Sequence, residues 1–239
     1  MRRLPLSTIE PGTRTLPPHA AHYMIKVLRV RPGDPIEVFD PQTGTTASAR
    51  VLSVGTEVLI SIESLHTEPA ITPLILVQGY PKGDKLGDII RDATELGATL
   101  IVPAICERSI ARPDAAKGDA RAERFTTIAN EAARQCGRAR APEIAPPMSF
   151  AEALEVARGE SSHRFVLWER ATVRLGPDLT ALEGNAAVAF AIGPEGGLTE
   201  GEIAIAEKHG FAPRSLGTTI LRTETAATAV LGAYRVLSA

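Results

Sequence analysis

Three short stretches of this chain carry residue types that packing alone does not call for. The first is Ala191-Ile192-Gly193-Pro194-Glu195-Gly196-Gly197-Leu198-Thr199. It follows the apolar run 186–192 and precedes Thr199 and Glu202, a capping-box pair that opens a short helix expected to end at Gly210. A strand that turns through glycines into a helix lies at the carboxyl edge of its sheet, where open α/β sheets bind ligands. Glycines there let the backbone come close to a ligand, and Pro194 stiffens the turn. A plain strand-to-helix turn is the competing explanation. Neither a dinucleotide fingerprint nor a Walker A loop is present, because the glycine spacing and the lysine are missing.

The second stretch, Leu216-Gly217-Thr218-Thr219-Ile220-Leu221-Arg222-Thr223-Glu224-Thr225-Ala226, breaks an apolar element at Gly217 and leads into a C-terminal helix over about 225–237. A helix start needs one capping residue, whereas Arg222 to Thr225 supply four polar groups in a row. A cap plus a salt bridge is the simpler alternative. The third is one face of a helix expected over 121–137. Its apolar members Phe125, Ile128, Ala129, Ala132, Ala133 and Cys136 recur at helical spacing, while Glu131, Gln135 and Arg138 line the opposite side. A solvated charged face explains such residues equally well.

Two textures of secondary structure must position these stretches. Up to about residue 66, short candidate strands alternate with turns: 35–40, 47–54 and 57–62, with Arg31-Pro32-Gly33-Asp34 and Pro41-Gln42-Thr43-Gly44 as turn signals. The segment 23–30 reads as an apolar stretch, and 19–29 could equally be a helix. This spacing suggests a small β-barrel. After a linker near 67–70, apolar strands at 72–78, 99–104, 164–169 and 186–192 alternate with helical patterns, among them 85–96. That is an α/β domain built around a largely parallel sheet.

Composition narrows the class. The 239 residues are 44% hydrophobic and 23% charged, which suits a globular chain with a real core, and no apolar run is long enough to span a bilayer. With no stretch of signal-peptide type after Met1-Arg2-Arg3, a cytoplasmic protein is expected. Cys106 and Cys136 read as buried thiols, and the five histidines show no metal-ligand spacing, so no metal is expected. The net charge of −2 argues against a nucleic-acid partner until its distribution is considered. Residues 1–31 hold Arg2, Arg3, Arg14, Lys26, Arg29 and Arg31 against Glu10 alone, with His19 and His22 nearby. A local positive field of this kind can hold phosphates, although a solvated basic edge would look the same.

Taken together, these stretches resemble the RsmE family of ribosomal RNA (uracil-N3) methyltransferases, in the knotted SPOUT superfamily. The resemblance covers nearly the whole chain. It runs through Lys26-Val27-Leu28-Arg29 with Pro32-Gly33-Asp34, Lys82-Gly83-Asp84-Lys85, Ala93-Thr94-Glu95-Leu96-Gly97, Glu107-Arg108-Ser109, and Glu131-Ala132 with Gln135 and Arg138. Its most specific parts are Ile192 to Gly197 and Ile220 to Ala226. Phe125, Leu198, Thr219, Arg91 and Leu4-Pro5 depart from the usual family residues, but no glycine of the first stretch is lost.

The resemblance implies a PUA-like β-barrel over 1–68 that helps hold RNA. It implies a SPOUT α/β domain over 72–239 with a deep trefoil knot, the knotted cofactor site falling at about 190–232. It implies S-adenosylmethionine as cofactor, a homodimer, and 16S ribosomal RNA or the assembled small subunit as partner. The cofactor residues would be Trp168, Gly193, Pro194, Glu195, Gly196, Gly197, Leu216, Gly217, Ile220, Leu221, Arg222, Thr223 and Ala226. RNA contacts would come from Arg3, His22, Lys26, Arg29, Lys82, Lys85, Gln135 and Arg138. Methyl transfer to a uracil N3 requires loss of its proton, helped by a guanidinium that stabilises charge on the flanking oxygens. Arg222 and Arg138 are the candidates for that guanidinium, and Glu169, Glu195 and Glu224 are three open candidates for the base.

Overall fold

In a computed structural model, residues 2–40, 43–67, 72–110, 118–182 and 186–237 are described. The chain divides into two compact units, Met1–Ile71 with Ala133–Ala141, and Thr72–Ala132 with Pro142–Ala239. Most of the expected 67–70 linker lies outside the described residues.

The first unit is a five-stranded sheet. Strands β1 (Arg2–Pro5), β2 (Gly12–Thr15), β3 (Pro35–Phe39), β4 (Thr45–Val54) and β5 (Val58–Thr67) lie in the order β1-β3-β4-β5-β2, with β1 and β2 at the ends. Only β1 and β3 are parallel. Along β4, Ala47, Ala49 and Val51 are buried and their neighbours face outward, the alternation of a half-buried strand. Of the two readings left open for residues 19–30, the helix is the one that forms: α1 (Pro18–Lys26) starts on a proline, whose missing N–H is no loss in a first helical turn. Ala20, Ala21 and Met24 of α1 join Leu4, Ile36, Val38 and Ile60 in one core. Residues 133–141 belong here through particular contacts. Arg134 lies over the Tyr23 ring at 4.9 Å, Arg3 donates to the Arg138 carbonyl at 3.2 Å, and Arg140 donates to the Thr43 carbonyl.

The second unit is a wholly parallel sheet with helices packed against it. Its strands are β6 (Leu74–Gly79), β7 (Leu100–Ile105), β8 (Glu143–Ile144), β9 (Met148–Ser149), β10 (His163–Leu167), β11 (Val188–Ile192) and β12 (Ala212–Arg214). The order is β12-β10-β11-β6-β7-β8, with β9 also paired to β7. The helices are α2 (Lys85–Glu95), α3 (Gly118–Cys136, whose residues from Ala133 on belong to the first unit), α4 (Phe150–Glu160), α5 (Gly176–Ala181), α6 (Glu200–Lys208) and α7 (Thr223–Leu237). Every residue of β6 and β11 is buried, as expected of strands covered on both faces.

Side-chain parity assigns those faces. Ile75, Val77, Ala189 and Ala191 pack with Phe150, Leu154 and Ile203 of α4 and α6. Residues of the other parity face α7, with Phe190 edge-on to Tyr234 at 6.2 Å between ring centroids. From β6 the chain runs toward β7, whereas from β11 it runs through α6 to β12 at the opposite edge. The adjacent pair β6 and β11 is therefore a topological switch point, and a crevice opens beyond the carboxyl ends of strands at such a point.

Candidate active site

The carboxyl ends of β10, β11 and β12 open onto a cavity of about 510 Å³. Each wall is a loop that follows a strand. Leu167, Trp168 and Glu169 come from the end of β10, residues 192–198 from the end of β11, and 215–223 from the connection between β12 and α7. Ala226 of α7 and Lys85 at the start of α2 close the remainder. All thirteen residues named above as cofactor contacts border this one cavity. So do two of the three candidate bases, Glu169 and Glu195, while Glu224 adjoins it through Lys85.

The local sequence explains the loop shapes. Thr199 accepts from the Glu202 amide at 3.2 Å and Glu202 accepts back from the Thr199 amide at 2.9 Å, the expected capping box. The Ser215 hydroxyl donates to the Gly217 carbonyl at 2.9 Å and accepts from the Gly217 amide at 3.1 Å, holding the second loop by its base. Gly217 has φ of +140°, which side-chain-bearing residues rarely adopt, and no atom lies within 4 Å of the position a Cβ would take. The other glycines answer to their neighbours. A Cβ on Gly193 would fall 2.9 Å from Leu198 Cγ, and one on Gly196 2.8 Å from the Arg108 Cβ. Close approach of a ligand is thus not needed to explain Gly193 or Gly196; the fold itself requires them.

The electrostatics centre on Lys85. Its Nζ lies 3.0 Å from Glu195 Oε1 and 3.5 Å from Glu224 Oε2. Glu195 also accepts from the Lys82 amide at 3.1 and 3.3 Å. Burial pushes the Glu195 carboxyl up, but backbone N–H groups and Lys85 together outweigh it and hold the group below its usual range. The hydrogen bond from Lys85 to Glu195 in turn raises the lysine. Glu169 is exposed and, among the described residues, has no hydrogen-bond or ion-pair partner. The Arg222 side chain is likewise exposed on the cavity wall without a partner among the described residues.

The expected RNA contacts fall into three groups. His22 and Lys26 are exposed one helical turn apart on α1, and Arg29 is exposed just beyond it. Lys82 and Gln135 also point to solvent. Arg3 and Lys85 are engaged inside the protein instead. Arg3 pairs with Glu37 at 2.6 Å and stacks over Phe39 at 4.7 Å, with only 13% of its side chain exposed, and Lys85 forms the cavity wall. Arg138 belongs to the first unit and does not border the cavity. One cysteine expectation is corrected: Cys106 is buried, its thiol pushed up by burial, but Cys136 is exposed at the end of α3. The helix stripe that read as apolar at Cys136 has rotated out of the core by its last turn.

Sequence reasoning missed Gln78. It is wholly buried at the end of β6, and its Nε2 donates to Thr223 Oγ1 at 2.8 Å. A lone amide closing the apolar run 72–78 was the signal available. Leu167, Ile192, Leu198, Ser215, Thr218 and Thr219 also line the cavity without having been singled out as contacts; Leu167 precedes Trp168 at the end of β10, and the others are neighbours in the two loops.

Comparison with known proteins places this geometry among characterised folds. The family described as RNA methyltransferase domain matches residues 67–235, and the family described as RNA methyltransferase PUA domain matches 16–63. Ribosomal RNA small subunit methyltransferase E from Synechocystis is 36% identical over 95% of this chain and 74% of its own length. The protein of the same name from Bacillus subtilis is 32% identical over 91% of this chain and 87% of its own. Among solved structures, a ribosomal RNA small subunit methyltransferase E from Neisseria gonorrhoeae bound to S-adenosyl methionine is 31% identical. It superposes with a TM-score of 0.84 over 99% of this chain and 98% of its own.

Proposed function

Because the chain belongs to the family of small-subunit ribosomal RNA methyltransferases E, we propose that it transfers the methyl group of S-adenosylmethionine to N3 of a uracil in 16S RNA of the small ribosomal subunit. The observation that carries this reading is the meeting of residues 192–198 and 215–223 around one cavity.

The residues fit that cofactor. A volume of about 510 Å³ is in the range that encloses cofactor-sized ligands. Leu216, Ile220 and Leu221 are apolar yet 38%, 78% and 36% exposed, which suits walls awaiting a flat, largely apolar adenosyl group. Gly193 to Gly197 and Leu216 to Thr223 would hold the group, with Trp168 and Ala226 flanking it. The chemistry supplied by the cofactor when bound is a methyl group activated on a sulfonium.

The chain's own residues do the rest. Glu195 and Glu224 are both engaged by Lys85, which commits these two carboxylates to the cavity wall. Glu169 is exposed at the cavity with no partner among the described residues, and it takes the base role. Arg222, without a side-chain partner among the described residues, presents its guanidinium from the opposite loop and stabilises charge on a uracil oxygen as the N3 proton leaves. Arg138, in the first unit, serves RNA positioning rather than the reacting atoms.

At larger scale the reading comprises a PUA-like barrel over 1–68 that holds RNA and a SPOUT methyltransferase domain over 72–239. A trefoil knot belongs to it as well. The connection leaving β12 at the sheet edge returns to the centre, where Thr223 bonds Gln78 of β6, and this return over the strand ends supports a threaded chain. The functional unit is a homodimer acting in the cytoplasm on 16S RNA or the assembled small subunit.

The test is to incubate the purified protein with S-adenosylmethionine and either naked small-subunit RNA or assembled subunits, then identify nucleosides by mass spectrometry. N3-methyluridine is the expected product, and its absence from both substrates overturns the assignment. In single-turnover measurements Glu169→Gln is expected to slow methylation by about 10²-fold or more. Full rate in that variant removes Glu169 as the base.

A further inference from the structure

Gln78, Thr223 and Gly193 form a chain of hydrogen bonds whose polarity is fixed. The Gly193 carbonyl can only accept, so the Thr223 hydroxyl donates its one proton there, at 2.6 Å. Thr223 Oγ1 must then accept from its other partner, and the amide nitrogen of Gln78 is 2.8 Å away. The second hydrogen on that nitrogen goes to the Gly79 carbonyl at 3.0 Å. The opposite amide orientation would set an oxygen against the Gly79 carbonyl and another against a hydroxyl whose proton is already committed. Chemistry alone therefore assigns the amide, and it leaves Gln78 Oε1 buried with no hydrogen-bond partner among the described residues.

We propose that Gln78 is a positioning residue for the cofactor cavity: it orients the Thr223 hydroxyl so that the entry to α7 is clamped to the turn that leaves β11. The inference rests on reading that cavity as the S-adenosylmethionine site. Three observations carry it. The relay joins the two loops that wall the cavity, since Gly193 begins one and Thr223 ends the other. It lies where backbones already touch, because a Cβ on Gly79 would fall 2.4 Å from the Pro194 nitrogen. Finally, Gln78 is the wholly buried polar residue near the end of β6, and both its amide hydrogens are committed, one to Thr223 and one to the Gly79 carbonyl.

The experiment compares wild type with Gln78→Met, Thr223→Val and the double variant. It measures S-adenosylmethionine affinity by calorimetry, melting temperature, and separate KM values for cofactor and RNA. Gln78→Met is expected to weaken cofactor binding about tenfold, the effect of one lost hydrogen bond, and to raise the cofactor KM alone. Its melting temperature should stay within about 3 °C of wild type. The double variant should bind the cofactor no more weakly than Thr223→Val, because both changes break one relay. If Gln78→Met lowers the melting temperature but leaves cofactor affinity within about twofold of wild type, the role is structural and the inference is overturned. Strictly additive losses in the double variant also overturn it. Should Gln78→Met not fold, Thr223→Val decides alone: unchanged cofactor affinity contradicts the clamp. Wild-type protein that binds no S-adenosylmethionine overturns the cofactor reading itself, a result distinct from all of these.

Discussion

Lys85 reaches two carboxylates at once, and this gives the cavity wall a defined pH window. Glu195 is held below its usual 4.5 and Lys85 above its usual 10.5. A carboxylate with a depressed pKa contributes stability above its unfolded value and loses it as pH falls through the folded one. A lysine with a raised pKa contributes below its unfolded value and loses it as pH rises through the folded one. The pair should thus be intact from about pH 5 to about pH 10. The difference in melting temperature between wild type and Glu195→Gln is expected to be constant across that range and to shrink in more acidic solution. A difference that grows on acidification contradicts the pairing. At this scale the sequence was legible where a motif concentrated several signals, as at Gly193 to Gly197 and Leu216 to Thr223. It was not legible where a charge found a distant partner. Nothing near Arg3 in sequence announces Glu37, and nothing near Lys85 announces Glu195 or Glu224, so both cations read as free for phosphate.

At the scale of elements, the end of β6 and the exit from β11 depend on glycine for steric reasons. Gly79→Ala would place a methyl 2.4 Å from the Pro194 nitrogen, and neither backbone can move without shifting a central strand. A loss of about 3 kcal/mol in urea unfolding is expected, near the upper end for overpacking. Gly159, in α4, has no atom within 4 Å of its Cβ position and no positive φ. Gly159→Ala should therefore stabilise by about 0.5 kcal/mol in the same measurement. Equal losses at both sites would contradict this account of the packing. The long buried strands and amphipathic helices were readable from periodicity. Strands β8, β9 and β12, with two or three residues each, are too short to show a period and exist only because a neighbouring strand pairs with them. Helix α4 was readable in principle: Ser149 and Glu152 form the same capping box as Thr199 and Glu202.

For the whole molecule, a net charge of −2 conceals exposed cations on the first unit. Arg2 pairs with Asp34, Arg3 with Glu37, and Arg14 donates to the carbonyls of Ser7 and Thr8, which leaves Lys26, Arg29 and Arg31 exposed on and just after α1. RNA affinity should fall with salt, and Lys26→Glu should flatten the logarithmic slope by about 0.7, one single-strand phosphate contact. An unchanged slope removes Lys26 from the interface. If two loops distant in sequence jointly hold the methyl donor, hydrogen exchange with and without saturating S-adenosylmethionine will register both of them. Slowed exchange is expected at 192–198 and 215–226, with a lesser effect near 167–169 and none in the first unit. Unaltered exchange in both loops, or protection confined to any other part of the chain, would contradict joint binding by the two loops.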